Sequence, residues 1–148
     1  MPEVNDPPAE GAPTKPPSLP NDSHLYRGEA LAPMVRASTT PLRILALDYG
    51  ADFCYSEELV DRSITNTLRV ENKELGTVDF IKDTKNMSAK VQRRLLRDGG
   101  PPLLLRIDPV REAGRLICQI GSGEAESALA AALHVHRDVS AIDLNMGW

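Results

Sequence analysis

Polar residues that could do chemistry lie at the ends of short apolar runs in this sequence. Asp143 and Asn145 alternate with apolar residues at 141–147, and Gln119 stands inside another apolar run. Parallel β-strands bring their carboxyl ends to one edge of a sheet, where α/β enzymes bind their substrates. Carboxylate and amide side chains at that edge can form hydrogen bonds with a ligand. The pattern therefore predicts a substrate site at the strand ends.

The cysteines and two of the histidines are not expected to do chemistry. Cys54 and Cys118 lie inside apolar runs without C-x-x-C spacing, which predicts buried free thiols. His134 and His136 fall near the end of a predicted helix, where positive charge suits the helix dipole. We therefore predict neither catalysis nor metal binding at these residues.

The polar residues must be positioned by an alternation of strand-like and helix-like segments. From residue 29 onward, short apolar runs alternate with helical periodicity, which predicts an α/β fold of successive strand–helix units. Strands are predicted at 30–35, 52–56, 115–120 and 141–146. Four such units are half of an eightfold TIM (β/α)8 barrel, whose usual length is about 250 residues. The predicted fold is thus a partial TIM barrel.

Helical periodicity predicts which side of each helix packs on the sheet. Thr40 before Pro41 marks a helix start, because Thr can cap exposed N–H groups and Pro fits the first helical position. A second helix is expected over 59–67. The expected apolar faces comprise Leu42, Leu45 and Ala46 in the first helix and Leu129, Ala132 and Leu133 in the helix after Gly123.

The region 76–109 interrupts this regular alternation. Two strand-like runs, 77–81 and 103–107, could pair as a hairpin. Between them lies a polar insert, 82–102, in which a short basic helix is predicted around Val91 and Leu95.

Composition limits the domain organisation and the function classes. The net charge is −4 with His neutral, so the chain as a whole gives no electrostatic signature of nucleic-acid binding. No run approaches the roughly 18 apolar residues that a membrane span needs. Residues 1–24 contain seven of the twelve prolines and almost no large apolar side chains, which predicts a disordered tail. The folded region is then 25–148.

Five motifs of the folded region resemble those of the tRNA-dihydrouridine synthases, flavoproteins that reduce a uridine in transfer RNA. They are Leu31-Ala32-Pro33-Met34-Val35-Arg36, Ala46-Leu47-Asp48-Tyr49-Gly50-Ala51-Asp52, Glu57-Glu58-Leu59, Gln119-Ile120-Gly121 and Ile142-Asp143-Leu144-Asn145-Met146-Gly147. They occur in the family's order and are most similar to the eukaryotic cytosolic D-loop type, with the 82–102 insert as the main departure in length. The resemblance implies the amino-terminal half of a TIM barrel, FMN as cofactor, NADPH as reductant and tRNA as substrate, with no metal and no membrane.

The resemblance also implies roles for residues at the strand ends. Pro33, Met34 and Val35 match the segment that packs against the isoalloxazine ring of FMN. Gln119 matches the glutamine that contacts the flavin. Glu58 matches an acidic residue near the flavin and the substrate, although adjacent glutamates could also be a solvated helix start.

The last motif departs from the family at its end. Asn145 matches the asparagine that positions the target base, although Asn at a strand end could also form an ordinary turn. In the family, Met-Gly is followed by Cys-Pro, and that cysteine is the general acid that protonates the uracil ring. Here Trp148 stands at the cysteine position, and an indole N–H has no useful acidity. We therefore expect a truncated, inactive fragment of the catalytic barrel.

Other interpretations stay open from the sequence. A non-enzymatic truncated product could bind a partner, or self-associate, through the open edge of a half-barrel. A different flavin reductase on the same barrel is a third interpretation, against which the motifs at 48–52 and 145–147 argue. The basic helix could contact tRNA, with a solvated loop as the simpler interpretation. We expect a cytoplasmic protein, with the nucleus as the alternative.

Overall fold

A computed structural model describes residues 27–147 except 86, 98 and 101. The predicted disordered tail at 1–24 and the predicted role of Trp148 therefore lie outside the described residues. The elements, in chain order, are β1 (Ala30–Leu31), α1 (Thr40–Asp48), β2 (Phe53–Tyr55), β3 (Leu59–Val60), α2 (Asp61–Thr65), β4 (Thr67–Asn72), β5 (Thr77–Lys82), α3 (Ala89–Arg97), β6 (Leu103–Ile107), β7 (Leu116–Gly121), α4 (Ala125–Val135) and β8 (Ala141–Asn145).

A parallel sheet contains β1, β2, β7 and β8 in that order, with β3 also paired to β7. Cys54 of β2 lies opposite Leu116 of β7, and Leu59 of β3 lies opposite Ile120. The two short strands β2 and β3 thus behave as one interrupted strand along β7. Parallel neighbours need crossover connections, which α1 and α4 provide for two of the pairs. The prediction of an α/β fold with a parallel sheet is confirmed.

The first strand is shorter than predicted. It ends at Leu31, so Pro33, Met34 and Val35 lie in the following loop, and the prediction of a strand to residue 35 is wrong there. The buried hydroxyl of Ser38 explains the early end, because it donates to the carbonyl of Ala32 at 2.8 Å. It also accepts the N–H of Met34 at 3.0 Å, so this N–H bonds within the loop.

A second sheet, antiparallel and ordered β4-β5-β6, lies between α2 and β7 in the chain. The β5–β6 pair confirms the predicted hairpin, and α3 confirms the basic helix. The helix predicted over 59–67 is wrong in extent, because β3 and the five-residue α2 occupy its place. The sequence analysis missed β4, an edge strand in which Leu68 and Val70 alternate with Arg69 and Glu71 over four exposed positions.

Helix α1 begins and packs differently from the prediction. Its N-cap is Thr39 instead of Thr40, and its buried side chains are Arg43 and Leu47, whereas Leu45 of the predicted apolar face is half exposed. Arg43 is buried because Glu112, which precedes β7, neutralises it, with Nε donating to Oε1 at 2.6 Å. An ion pair that joins residues 69 positions apart cannot be read from helical periodicity.

Helix α4 also turns a different face to the sheet. Its buried residues are Ala131 and Val135, while Leu129 and Leu133 of the predicted face are each 60% exposed. Small side chains let the helix approach β7 closely, which leaves the two leucines on its outer side.

The two sheets share one hydrophobic core. It comprises Leu47, Cys54, Leu59, Ile64, Val78, Phe80, Leu105, Ile107, Leu116, Cys118, Ile120, Ala131 and Val135. Because β6 contacts α1 and β5 contacts α2, the antiparallel sheet covers the same side of the parallel sheet as the helices. Within the described residues, no helix is long and apolar enough to cross a membrane.

Candidate active site

The predicted site residues lie at the carboxyl ends of the parallel strands, and hydrogen bonds connect these ends to one another. Gln119 lies on β7, and Glu58 lies between β2 and β3. Ser56, which is fully buried at the end of β2, accepts a hydrogen bond from the backbone N–H of Gln119 at 3.1 Å. Glu57 accepts a hydrogen bond from the backbone N–H of Arg36, in the loop after β1. These bonds join the loop after β1 and the ends of β2 and β7 into one edge.

An acidic residue on the neighbouring strand orients Gln119. Asp143 of β8 lies directly opposite it, and the amide nitrogen Nε2 donates to Oδ2 of Asp143 at 2.7 Å. An ionised carboxylate can only accept hydrogen bonds, so Asp143 fixes the amide with its nitrogen toward β8. The amide oxygen is then the group available to accept a hydrogen bond from a ligand. Sequence analysis placed Asp143 at the strand end but did not predict its contact with Gln119, because the contact depends on the register of β7 and β8.

Glu58 presents a buried oxygen that lacks a partner. Among the described residues, its Oε1 is buried and receives no hydrogen bond. An unsatisfied buried acceptor costs about 1–3 kcal/mol, and more when it is charged. A ligand that donates an O–H or N–H at this position would remove the cost. Glu58 precedes a strand and not a helix, so the interpretation as a solvated helix start is wrong. FMN carries N–H and O–H donors, and Glu58 therefore fits this cofactor.

The loop after β1 offers an apolar surface next to these polar groups. Met34 is 39% exposed and Val35 is 65% exposed. Arg36 has φ 64°, a left-handed conformation that is uncommon outside glycine, and the bond from its N–H to Glu57 helps to hold it. Exposed apolar side chains beside a strand end can pack against a planar ring, which is the role that the resemblance implies for Pro33, Met34 and Val35.

Asn145 ends β8 and takes part in a local turn. Its Oδ1 accepts the backbone N–H of Gly147 at 2.9 Å, so the turn chemistry expected as an alternative is present. The bond uses the oxygen of the side chain and leaves the amide nitrogen as the group that could donate to a substrate.

Cys54 and Cys118 are buried free thiols, as predicted, and they are also poorly acidic. Burial, together with the negative charge of Glu112, raises the pKa of Cys54 to about 12. Burial also raises the pKa of Cys118 to about 11. Neither thiol is therefore suited to act as a nucleophile or as a general acid near neutral pH.

The histidines of α4 have structural partners. His134 Nε2 lies 3.0 Å from the hydroxyl of Thr67, and its ring packs edge-on against Phe80. His136 Nδ1 lies 2.8 Å from the backbone carbonyl of Leu133. In the described part of the chain, no group of three or more His, Cys, Asp or Glu side chains could hold a metal ion.

Comparison with known proteins agrees with the motifs at the strand ends. The family model described as dihydrouridine synthase matches residues 30–148. A tRNA-dihydrouridine(20) synthase (NAD(P)+) of Saccharomyces cerevisiae is 42% identical over 123 residues, which cover 82% of this chain and 29% of the relative. The protein of the same name from Schizosaccharomyces pombe is 40% identical over 120 residues, covering 79% of this chain and 22% of the relative.

The matched region includes every strand end described above. The chain spans less than a third of the length of either relative. The family model covers most of the chain and shows the family, and the identities of 42% and 40% agree with it. The chain belongs to the dihydrouridine synthase family.

Proposed function

We propose that this chain forms the first four strand–helix units of the catalytic TIM barrel of a tRNA-dihydrouridine synthase. The reaction is the reduction of a uridine in the D-loop of tRNA to dihydrouridine, with FMN as cofactor and NADPH as reductant. Family membership and the two relatives named as tRNA-dihydrouridine synthases support this function. They favour it over a non-enzymatic product that binds a partner through an open barrel edge.

The observation that carries the proposal is the buried, unpartnered oxygen of Glu58. It lies at the same strand edge as Gln119, whose amide is already oriented by Asp143. A carboxylate acceptor and an amide acceptor suit the hydroxyl and N–H donors of FMN. A purely structural edge would not retain a buried acceptor that no described residue satisfies.

Each residue of the edge has a distinct part in this proposal. FMN, when bound, would supply a hydride, received from NADPH, to one carbon of the uracil double bond. Gln119 and Glu58 would accept hydrogen bonds from the cofactor and hold it in place. Met34 and Val35 would pack against its ring and exclude water. The amide nitrogen of Asn145 donates to the uracil and holds it in place.

Reduction of the uracil double bond also needs a proton at the neighbouring carbon. In the family, the cysteine after Met-Gly donates that proton, and Trp148 holds this position here. Cys54 and Cys118 cannot substitute for it, because both are buried in the core. We therefore propose that the chain by itself binds flavin weakly and does not form dihydrouridine.

The test compares this chain with a chimaera in which Gly147 is followed by cysteine and the remaining barrel of the Saccharomyces cerevisiae relative. FMN affinity is measured by the quenching of flavin fluorescence, and dihydrouridine is measured in unmodified tRNA with NADPH present. The chimaera should bind FMN and form dihydrouridine, whereas the chain alone should not. Dihydrouridine formed by the chain alone would contradict the role given to Trp148.

The Glu58→Ala variant of the chimaera tests the site itself. It should bind FMN about 10- to 100-fold more weakly, because a hydrogen bond to a charged group contributes about 1.5–3 kcal/mol. Without FMN, the variant should be as stable as the parent or more stable, because an unsatisfied buried oxygen is removed. The matched control is Glu74→Ala in the exposed β4–β5 turn. Equal FMN affinity in the two variants would refute the site.

A further inference from the structure

The 82–102 insert concentrates positive charge in an acidic protein. It contains six Lys or Arg residues and two Asp residues, although the net charge of the chain is −4. Most of this charge lies on α3, which contains Lys90, Arg93, Arg94 and Arg97. Such a local surplus creates a positive field at one place on the surface, which the net charge of the whole chain conceals.

The four cations of α3 lie on one face of the helix. Positions i, i+3, i+4 and i+7 form a single stripe on an α-helix, and Lys90, Arg93, Arg94 and Arg97 have this spacing. All four residues are exposed, and the stripe is about 10 Å long at 1.5 Å per residue. We refer to these four residues as the basic stripe.

The helix is tied to the segment of the insert that precedes it. The side-chain amide nitrogen of Gln92, on the other side of α3, donates to the carbonyls of Thr84 and Met87, each at 2.9 Å. The basic stripe is therefore held on an ordered helix that begins and ends within the β5–β6 connection. A preformed cationic surface loses less conformational entropy on binding than a flexible loop does.

The topology places α3 at the same end of the protein as the candidate active site. Leu103 and Leu104, at the start of β6, line a cavity of about 370 Å³ together with Thr39 and Glu57. Thr39 and Glu57 follow the carboxyl ends of β1 and β2. Helix α3 ends at Arg97 and β6 begins at Leu103, so the carboxyl end of the basic stripe lies no more than about 22 Å from this cavity.

We propose that the basic stripe is a docking surface for the phosphate backbone of the tRNA substrate. The identity of the RNA rests on the proposed function. Closely spaced cations on a rigid helix match the dense negative charge of a nucleic-acid backbone, and such contacts give affinity without sequence specificity. In this proposal the basic stripe binds the RNA backbone while the strand ends bind the target uridine.

The proposal is tested on the full 148-residue chain with an unmodified tRNA transcript. The affinity is measured by fluorescence anisotropy between 50 and 200 mM salt. Lys90→Gln/Arg93→Gln should bind more weakly and should lower the salt slope by about 1.4–1.8, since each phosphate contact contributes about 0.7–0.9. Over this fourfold range of salt, the parent should therefore lose about tenfold more affinity than the variant.

The control variant removes two positive charges from surface positions outside the insert. Lys73→Gln/Arg137→Gln changes two exposed cations, in the β4–β5 turn and after α4, and should leave the salt slope unchanged. Equal effects of the two variants, or no RNA binding by the parent chain, would overturn the proposal. Binding to phosphatidylserine vesicles without binding to RNA would also overturn it, in favour of a membrane. Flavin binding by the chimaera reports on the strand ends independently, so RNA binding through the stripe without FMN binding by the chimaera would refute only the proposed function.

Discussion

Replacing Glu112 with Gln should strongly destabilise the protein, because it leaves the guanidinium of Arg43 buried without a counter-charge. The side chains of Arg43 and Glu112 are 2% and 0% exposed. The two carboxylate oxygens accept from Nε and Nη2 of Arg43 at 2.6 and 3.2 Å, and one of them also accepts the N–H of Asp108 at 2.8 Å. A glutamine amide has one acceptor oxygen, so its nitrogen would face a donor. Breaking a buried ion pair costs about 3–5 kcal/mol.

Urea unfolding followed by circular dichroism at low micromolar concentration measures this effect. With a dependence on urea of about 2 kcal/mol per molar, a loss of about 3–5 kcal/mol lowers the midpoint by roughly 1.5–2.5 M. Arg43→Met/Glu112→Leu should recover part of the loss, because an apolar pair of similar volume removes both charges from the core but also removes the partners of the Ser38 carbonyl and the Asp108 N–H. The control is Asp48→Asn, which breaks the half-exposed pair with Arg111 and should change the midpoint little. Equal midpoints for Glu112→Gln and Asp48→Asn would refute the reasoning.

Two further predictions concern pH and self-association. Arg106 donates to both carboxylate oxygens of Asp79, at 2.7 and 2.6 Å, and holds the pKa of Asp79 below its usual range. This stabilisation is present above about pH 4 and is lost as the pH falls through the lowered pKa. The free energy of unfolding, measured by urea unfolding, should therefore fall more steeply below about pH 4 in the parent than in Asp79→Asn. An equal dependence of this free energy on pH in the two proteins would contradict the prediction. Among the described residues, β8 is paired with another strand on one side only, and its side chains Ile142 and Leu144 are 37% and 42% exposed. Because an open apolar edge can pair with a second copy, the chain should self-associate. The Leu144→Lys variant should contain more monomer than the parent in sedimentation velocity. The prediction would be contradicted by a monomeric parent at 50 μM, roughly the concentration at which open edges associate.

The sequence predicted β2, β7 and β8 well because their apolar runs are local features, but it extended β1 to residue 35 and predicted a helix where β3 lies. It did not predict the buried faces of the helices, and α1 shows why. Burial of Arg43 depends on Glu112, 69 residues away, and no window of the sequence contains both. The edge strand β4 was missed for a different reason, since its alternation of Leu68 and Val70 with Arg69 and Glu71 spans only four residues, the shortest run that indicates a strand.

The sequence predicted which residues belong to the candidate site but not which contacts they make. The motifs identified Gln119, Glu58 and Asn145 at the strand ends, and the structure places them there. The pairing of Gln119 with Asp143 follows from strand register, which is set by packing over the whole sheet. The missing partner of the Glu58 oxygen is likewise a property of the folded surroundings.

The placement of β3 and β7 side by side has an evolutionary consequence. The chain leaves the parallel sheet after β3 and returns as β7, its immediate neighbour, so residues 61–115 form a closed excursion on one side of the sheet. The order of the parallel strands does not depend on the length of that excursion, and doubling the length of a flexible loop costs only about 0.6 kcal/mol in closure entropy. Insertions between β5 and β6 can therefore accumulate and be tested by selection while the strand ends stay in place. A helix such as α3 can thus be gained or lost, or its charge can change, without remodelling the candidate site.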